Sequence, residues 1–248
     1  MKIEQEIFWI FKEKYGEKWR PGILKDIKRL KAGEPVDYII GWMPFLNSQI
    51  GLSLKPLIPR PETEYWAEKV IEKLKNRDIK KPRVLDIFAG SGCVGIAILK
   101  NVKNAQVDFA EVNPKFVQQI KINLKLNKIP AYRYRVIQSD IFRNIKKRYD
   151  YILANPPYIP LKNKKRVQAE VLKYEPRSAI FGGRNGLFYV KKFLTAAPRH
   201  LNSGGEIWME FDSPQKIAIE KLLQKQYYEY QIYKDQYKKW RYVKINPR

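Results

Sequence analysis

The chain has 248 residues, is 44% hydrophobic and carries a formal net charge of +24. This length predicts one domain of normal size with a small appendage, or two small domains. No apolar stretch reaches the roughly 18 residues of a membrane span, and the N-terminus lacks a signal-peptide core, so we expect a cytoplasmic protein. The single cysteine, Cys93, and the single histidine, His200, exclude an intramolecular disulfide and a Cys/His zinc site, so we expect no metal.

The excess of basic residues bears on the partners of the protein. There are 49 Lys and Arg residues against 25 Asp and Glu residues, and such an excess attracts polyanions. Most of these residues are lysines scattered along the chain, which a general lysine bias would explain. One dense cluster, Lys162 to Arg166, favours contact with nucleic acid or the ribosome instead. Both interpretations stay open.

The first 60 residues predict a small helical region followed by a hairpin. Residues 1–33 carry apolar side chains at helical spacing, interrupted by Pro21-Gly22. Residues 34–60 alternate in polarity and are rich in proline, which predicts a β-hairpin and a linker. The segment "RPETEYWAEKVIEKLK" then predicts a helix that opens a third region, residues 61–248, with Pro61 in its first turn.

From residue 83 onwards, predicted strands and helices alternate. The strands are "RVLDIF", "AQVDFAEV", "YRYRVIQSD", "YDYILAN" and "GEIWMEF", followed by the closing pair "YEYQIYKDQ" and "WRYVKIN". Nearly continuous apolar strands separated by helices indicate an α/β protein whose mainly parallel sheet is covered on both faces. The last two strands have no helix between them, so we expect them to pair antiparallel.

A glycine-rich loop follows the first of these strands, in "LDIFAGSGCVG". Gly90 and Gly92 allow a ligand to approach the backbone, and Gly95 completes the spacing of a dinucleotide loop, but the G-K-[ST] ending of a phosphate loop is missing. Asp86 precedes the glycines, and Glu111 ends the next strand, where a carboxylate can accept both hydroxyls of a ribose. The pattern favours a nucleoside site that needs no pyrophosphate, which S-adenosylmethionine fits. The alternative is a tight turn beside an exposed acid.

The segment "NPPY", Asn155 to Tyr158, follows the apolar run "YDYILA". Its two prolines end the strand, at the edge of the sheet where ligands bind in α/β proteins. The Asn155 side-chain oxygen and the Pro156 carbonyl can accept both hydrogens of an NH2 group, and Tyr158 offers a flat face to a planar group. We therefore expect a planar amide or aromatic amine here, positioned for attack on a methyl sulfonium without a strong base. The alternative is a proline-rich turn without a ligand.

These motifs resemble the release-factor glutamine methyltransferases (HemK/PrmC). The resemblance runs from about Gly33 to the C-terminus and includes "GEPVDYIIG", "LIPRPETE", "DIFAGSGC", "NPPYIP", "YEPRSAIFGGRNGL" and "KDQYKKWRYVKI". It implies a Rossmann-like class I methyltransferase fold, with a seven-stranded mostly parallel sheet and an antiparallel last strand. It also implies methyl transfer from S-adenosylmethionine to the glutamine side-chain amide of the GGQ motif in peptide-chain release factors. The sequence itself does not give the oligomeric state, and we take a monomer as the default expectation.

The resemblance also implies which residues form the site. Catalysis and substrate binding fall to Asn155, Pro156, Pro157 and Tyr158, with Arg60 and Glu62 from a "PRPETE" loop that closes over the cofactor. Cofactor binding falls to Asp86, Phe88, Ala89, Gly90, Ser91, Gly92, Glu111, Asp140, Ile141 and Asn155.

The sequence departs from the family pattern at several points. Phe88 and Ala89 replace the first two residues of the usual "GTGSG", Glu111 replaces the commoner Asp, and Asn185 stands where Asp is usual. The helical region before "GEP" is about half the usual length, and in the family that region helps to hold the release factor.

Two other functions remain as alternatives. An amino-methyltransferase acting on adenine or guanine of RNA or DNA would account for the basic cluster, although no segment is left for a target-recognition region. A binding protein that has lost catalysis is the third possibility, and the intact Gly90, Gly92, Glu111 and Asn155 argue against it.

Overall fold

The computed structural model describes residues 2–77, 79–226 and 228–247. Its α-helices are α1 (Lys2–Trp9), α2 (Gly22–Lys31), α3 (Val36–Ile40), α4 (Pro61–Asn76), α5 (Cys93–Asn101), α6 (Pro114–Leu126), α7 (Ala169–Tyr174), α8 (Arg177–Ile180), α9 (Phe188–Ala196) and α10 (Lys216–Lys225). Its strands are β1 (Trp42–Phe45), β2 (Ser48–Gly51), β3 (Arg83–Ile87), β4 (Gln106–Glu111), β5 (Tyr134–Gln138), β6 (Tyr149–Ala154), β7 (Leu201–Glu210), β8 (Glu229–Lys234) and β9 (Trp240–Asn246).

The N-terminal region is helical, as predicted, and Pro21 immediately precedes α2. A π-helical turn over Ile10–Lys14 continues α1. A small core joins Ile10, Leu30 and Ile39, so α3, which the alternating pattern of residues 34–60 did not predict, packs with the helices before it. The predicted hairpin is present as the antiparallel pair β1 and β2.

The remaining strands form one sheet with the order β5-β4-β3-β6-β7-β9-β8. The strands β5, β4, β3, β6 and β7 run parallel, whereas β9 pairs antiparallel with both β7 and β8. The predicted seven-stranded, mostly parallel sheet with an antiparallel last strand is therefore confirmed. The last strand lies inside the sheet rather than at its edge.

Apolar residues cover both faces of this sheet, which explains the nearly continuous apolar strands. On β3, Val84 joins the core beneath α4, α5 and α6, whereas its neighbours Leu85 and Ile87 join the core beneath α9 and α10. Successive side chains of a strand point to opposite faces, so a strand buried on both faces needs apolar residues at successive positions. None of the helices in the described part of the chain has the length and apolar character needed to cross a membrane.

Candidate active site

A cleft opens at the carboxyl ends of β3, β4 and β6. Here the strand order reverses, because β4 and β5 lie on one side of β3 and β6 lies on the other. Its volume is about 970 Å³ when the part open to solvent is included. The loop before α4 and the segment around α8 also contribute residues to its lining. This is the place at which open α/β sheets bind their ligands.

The glycine-rich loop forms the floor of the cleft and has an unusual backbone. Phe88, Gly90 and Gly92 all have positive φ angles, of 60°, 54° and 77°. Glycine adopts this conformation without cost, whereas a bulky residue such as Phe88 is strained in it. The Phe88 ring packs edge-on against Tyr189 and Phe193, with centroids 6.1 Å away in both pairs, and these contacts hold the strained residue in place.

Gly95 serves the packing of α5 rather than the cleft. A Cβ atom at this position would lie less than 3.0 Å from Phe109 and Val107 of β4, so any side chain would push α5 off the sheet. The dinucleotide-like spacing of the three glycines therefore has two causes: Gly90 and Gly92 allow the turn, and Gly95 allows close helix–sheet contact.

Two buried carboxylates organise the loop. The Asp86 carboxylate accepts a hydrogen bond from the Gly95 N–H at 2.9 Å, and burial raises the pKa of Asp86 to about 8. The Glu111 carboxylate accepts from the Gly90 N–H at 2.9 Å and from the Asn113 N–H at 2.8 Å, and burial raises its pKa too. Each carboxylate oxygen keeps a further lone pair, so Glu111 can still accept hydrogen bonds from a ligand.

The NPPY turn is supported from below by the glycines of "FGGRNG". A Cβ atom at Gly182 would overlap the Pro157 carbonyl oxygen, and one at Gly186 would overlap the Tyr158 carbonyl oxygen. The Gln215 amide also donates to the Tyr158 carbonyl oxygen at 2.9 Å. Only glycine lets the two backbones approach this closely, so the turn is held by its neighbours as well as by its prolines.

A buried hydrogen-bond network joins the two ends of the turn. Thr63, in the first turn of α4, donates its hydroxyl to the Glu210 carboxylate at 2.6 Å and accepts from the Asn155 amide nitrogen at 3.2 Å. Trp66 and the Tyr158 hydroxyl also donate to Glu210, at 2.8 and 2.9 Å. Burial raises the pKa of the Glu210 carboxyl, and these hydrogen bonds oppose the rise.

Another buried carboxylate, that of Glu175, holds the loop before α4. Glu175, which follows α7, accepts from the Ile58 N–H at 3.1 Å and from the Arg60 guanidinium at 2.5 Å. Glu175 is 5% exposed, and the two segments that it joins both contribute residues to the lining of the cleft. The "PRPETE" loop is therefore tied to the "YEPRS" segment.

The structure brings most of the predicted site residues to this one cleft. Those that line it are Arg60, Asp86, Phe88, Ala89, Gly90, Ser91, Glu111, Asp140, Ile141, Asn155 and Pro157. Gly92, Glu62, Pro156 and Tyr158 are not among the lining residues of the described chain, and the Tyr158 hydroxyl is turned to Glu210. The sequence interpretation missed Thr63, Glu175 and Glu210, which come from three distant parts of the chain; "PETE" and "YEPRS" were the available signals for the first two.

The charge of the cleft is opposite to that of the protein. Three of its lining residues are acidic (Asp86, Glu111 and Asp140) and one is basic (Arg60), although the whole chain carries +24. The basic cluster Lys162 to Arg166 forms a 3-10 helix outside this lining. An acidic cleft disfavours a polyphosphate and suits a ligand with hydroxyl groups and a positive charge.

The fold and this cleft define a class I methyltransferase. Residues 66–178 match the family model described as methyltransferase small domain. The N-terminal domain of human METTL16, solved in complex with SAH, matches 82% of this chain and 77% of its own chain, with a TM-score of 0.57 and 17% identity. At that identity the likeness shows the fold alone.

Two relatives identify the family within this class. The release factor glutamine methyltransferase of Thermodesulfovibrio yellowstonii is 36% identical over 196 residues, which cover 79% of this chain and 69% of the relative. That of Flavobacterium psychrophilum is 32% identical over 223 residues, which cover 88% and 77%. The chain belongs to the release factor glutamine methyltransferase family, and the resemblance seen in its motifs is confirmed.

Proposed function

We propose that this protein transfers a methyl group from S-adenosylmethionine to the side-chain amide nitrogen of the glutamine in the GGQ motif of a peptide-chain release factor. The observation that carries the proposal is the Asn155 amide, which donates to Thr63 through its nitrogen and lines the cleft. Its oxygen is left to accept a hydrogen from a substrate NH2 group. Family membership selects glutamine among the possible amides and amines.

The residues of the cleft fit S-adenosylmethionine. Glu111 ends β4 beside the glycine loop, where a carboxylate can hold the hydroxyls of a ribose. Asp140 and Ile141 would border the adenine, and Phe88 to Ser91 would line the methionine part of the cofactor; all of them line the cleft. When bound, this cofactor supplies an electrophilic methyl group.

The NPPY turn would position the acceptor nitrogen. Asn155 Oδ1 and the Pro156 carbonyl oxygen can each accept one hydrogen of the glutamine amide, which orients the nitrogen and increases its electron density. The new N–C bond would replace the methyl–sulfur bond, whose electron pair stays on the sulfur, and the nitrogen would release one proton to solvent. Since fixed acceptors and orientation supply the catalysis, no histidine base is needed.

The basic surface is compatible with RNA as an additional partner but does not favour RNA as the substrate. Lys162 to Arg166 are not among the residues that line the acidic cleft. The amino-methyltransferase alternative therefore becomes the competing outcome of the experiment.

The test is a competition between substrates. The protein is incubated with methyl-labelled S-adenosylmethionine, release factor and total RNA from the same organism, and the labelled fraction is identified. We expect label in the release factor, mapped by mass spectrometry to the GGQ glutamine. Label in RNA alone would refute the proposal.

Two matched controls make the result specific. A release factor with GGE in place of GGQ presents the same loop without an amide nitrogen, so it should remain unlabelled. The enzyme variant Asn155→Ala should lose transfer and still bind the cofactor, because Glu111, Phe88 and Ile141 lie elsewhere in the cleft. Undiminished transfer by this variant would show that the turn does not hold the substrate.

A further inference from the structure

The structure assigns to Thr63 and Glu210 a positioning role: together they fix which way round the Asn155 amide sits. In this arrangement the Asn155 nitrogen is used by Thr63, and the Asn155 oxygen is left for a ligand in the cleft that both residues line. The inference rests on the proposed function in one respect, because it takes the bound group to be an NH2 donor. It adds two residues that never need to touch the substrate.

The orientation follows from the count of donors and acceptors. The Glu210 carboxylate is 1% exposed and receives three donors, of which the Trp66 N–H can only donate. Thr63 has a single hydroxyl proton, and its 2.6 Å hydrogen bond to Glu210 uses that proton. With Glu210 ionised, the Thr63 oxygen can then only accept, and the atom of Asn155 that lies 3.2 Å away is the nitrogen.

Shape alone cannot fix this orientation. The oxygen and nitrogen of an amide are nearly the same size, so a half-turn of the Asn155 side chain would fit the same space. After such a turn, an NH2 group would face the NH2 group of the substrate, and the acceptor would be lost. The prolines stiffen the backbone of the turn but do not determine the side-chain orientation, so the hydrogen bond to Thr63 is the deciding contact.

Glu210 holds the other end of the turn through its second oxygen. The Tyr158 hydroxyl donates to Oε1 of Glu210 at 2.9 Å, whereas Thr63 and Trp66 donate to Oε2. One buried carboxylate at the end of β7 therefore fixes the orientation of the Asn155 amide, through Thr63, and the position of the Tyr158 hydroxyl. Within the described residues, no hydrogen bond engages Asn155 Oδ1, which stays free to accept from a ligand.

A double-mutant cycle tests whether Thr63 acts through Asn155. Thr63→Val keeps the shape of the side chain and removes the hydroxyl, so kcat should fall about 10-fold to 100-fold with a small change in the KM for the cofactor. Thr63→Ser keeps the hydroxyl and should recover most of that loss. If Thr63 acts only through Asn155, adding Thr63→Val to Asn155→Ala should leave the residual transfer rate of Asn155→Ala, measured in long incubations with labelled cofactor, unchanged.

Additional loss in the double variant, of the size that Thr63→Val causes alone, would overturn the inference. A Thr63→Ser enzyme as slow as Thr63→Val would also overturn it. Thermal denaturation of each variant separates these results from a loss of folding, and Thr63→Ala serves if Thr63→Val does not fold.

A measurement without methyl transfer tests the orientation itself. The side-chain NH2 signals of Asn155 are assigned in a 15N NMR spectrum by their absence in Asn155→Ala. Their hydrogen exchange should be slow in the wild type and in Thr63→Ser, and at least about tenfold faster in Thr63→Val, since a protecting hydrogen bond is removed. Equal exchange in all three proteins would refute the positioning role. If exchange differs as expected and the wild type leaves the release factor unlabelled, the proposed function fails and the orientation stands.

Discussion

The contact between the "FGGRNG" loop and the NPPY turn leads to a prediction that separates two physical effects. Gly186 has a φ angle of +74°, and a Cβ atom there would overlap the Tyr158 carbonyl oxygen. Gly182 has no positive φ, but its Cβ would overlap the Pro157 carbonyl oxygen. Gly204 has a φ of +70° and open space around it. Alanine at Gly186 therefore adds both effects, alanine at Gly182 adds the steric effect alone, and alanine at Gly204 adds the backbone effect alone.

The expected losses follow from these differences. A left-handed backbone costs a non-glycine residue about 1–2 kcal/mol, so Gly204→Ala should lower the free energy of unfolding by about that amount. Forcing a methyl group into a packed contact costs about 1–3 kcal/mol, which is the loss expected for Gly182→Ala. Gly186→Ala combines both and should lose about 2–5 kcal/mol.

Urea denaturation measures these losses, and methyl transfer measures their effect on the site. In Gly182→Ala and Gly186→Ala the overlapping carbonyls belong to the NPPY turn, so the turn must move and kcat should fall about tenfold or more. Gly204 lies near the start of β7, away from Glu210 at its end. Gly204→Ala should therefore keep the wild-type kcat. Equal stability and equal kcat in all three variants would show that the turn does not depend on this contact.

Three further predictions concern charged groups. Burial raises the pKa of Asp86 from 3.8 to about 8, so its contribution to stability is present below pH 3.8 and is lost as pH rises through about 8. Asp86→Asn keeps an acceptor for the Gly95 N–H and should flatten the denaturation free energy across that interval, whereas an unchanged pH profile would contradict the assignment. Glu175→Gln removes the ionic partner of Arg60 but keeps a hydrogen-bond acceptor, so we expect a fall in Tm of about 2–4 °C or less, and a larger fall in Glu175→Ala. Neutral residues in place of Lys162 to Arg166 should leave release-factor methylation unchanged. They should reduce the slope of the logarithm of the RNA-binding constant against the logarithm of the salt concentration by about 0.7–0.9 for each phosphate that is no longer neutralised. An unchanged slope would mean that this cluster binds no polyanion.

The sheet was predictable because its signal is local. Each strand of the parallel sheet is a short apolar run between turn residues, and burial on both faces produces that pattern whatever the neighbouring strands are. Several short elements had no such signal, and α7 and α8 are among them. The helix α3 spans only Val36–Ile40 after Pro35, too short for a helical period to show, and the π-helical turn over Ile10–Lys14 has the same composition as an ordinary helix.

The site was predictable only in the parts that lie next to each other in the chain. Gly90, Gly92 and the NPPY turn are contiguous motifs at strand ends, so their chemistry could be read directly. Glu210 could not be found in this way, because its partner Thr63 lies 147 residues away and only the folded sheet brings them together. The Tyr158 ring was interpreted as a surface for the substrate, and its hydroxyl contact with Glu210 depends on the same long-range packing.

The position of β9 has a consequence for how the protein forms during its synthesis. This strand lies between β7 and β8 in the sheet, yet it is made after both of them. Glu210 ends β7 and pairs with Tyr242 of β9, so the strand that carries it has an open edge until β9 has left the ribosome. At about 5–20 residues per second, the stretch from Glu210 to Asn246 takes roughly 2–7 seconds to make. The contacts that hold the glycine loop, with Glu111, Tyr189 and Phe193, involve only residues made before β9. The Glu210 carboxylate beside the NPPY turn, in contrast, gains its final surroundings only when β9 has been added.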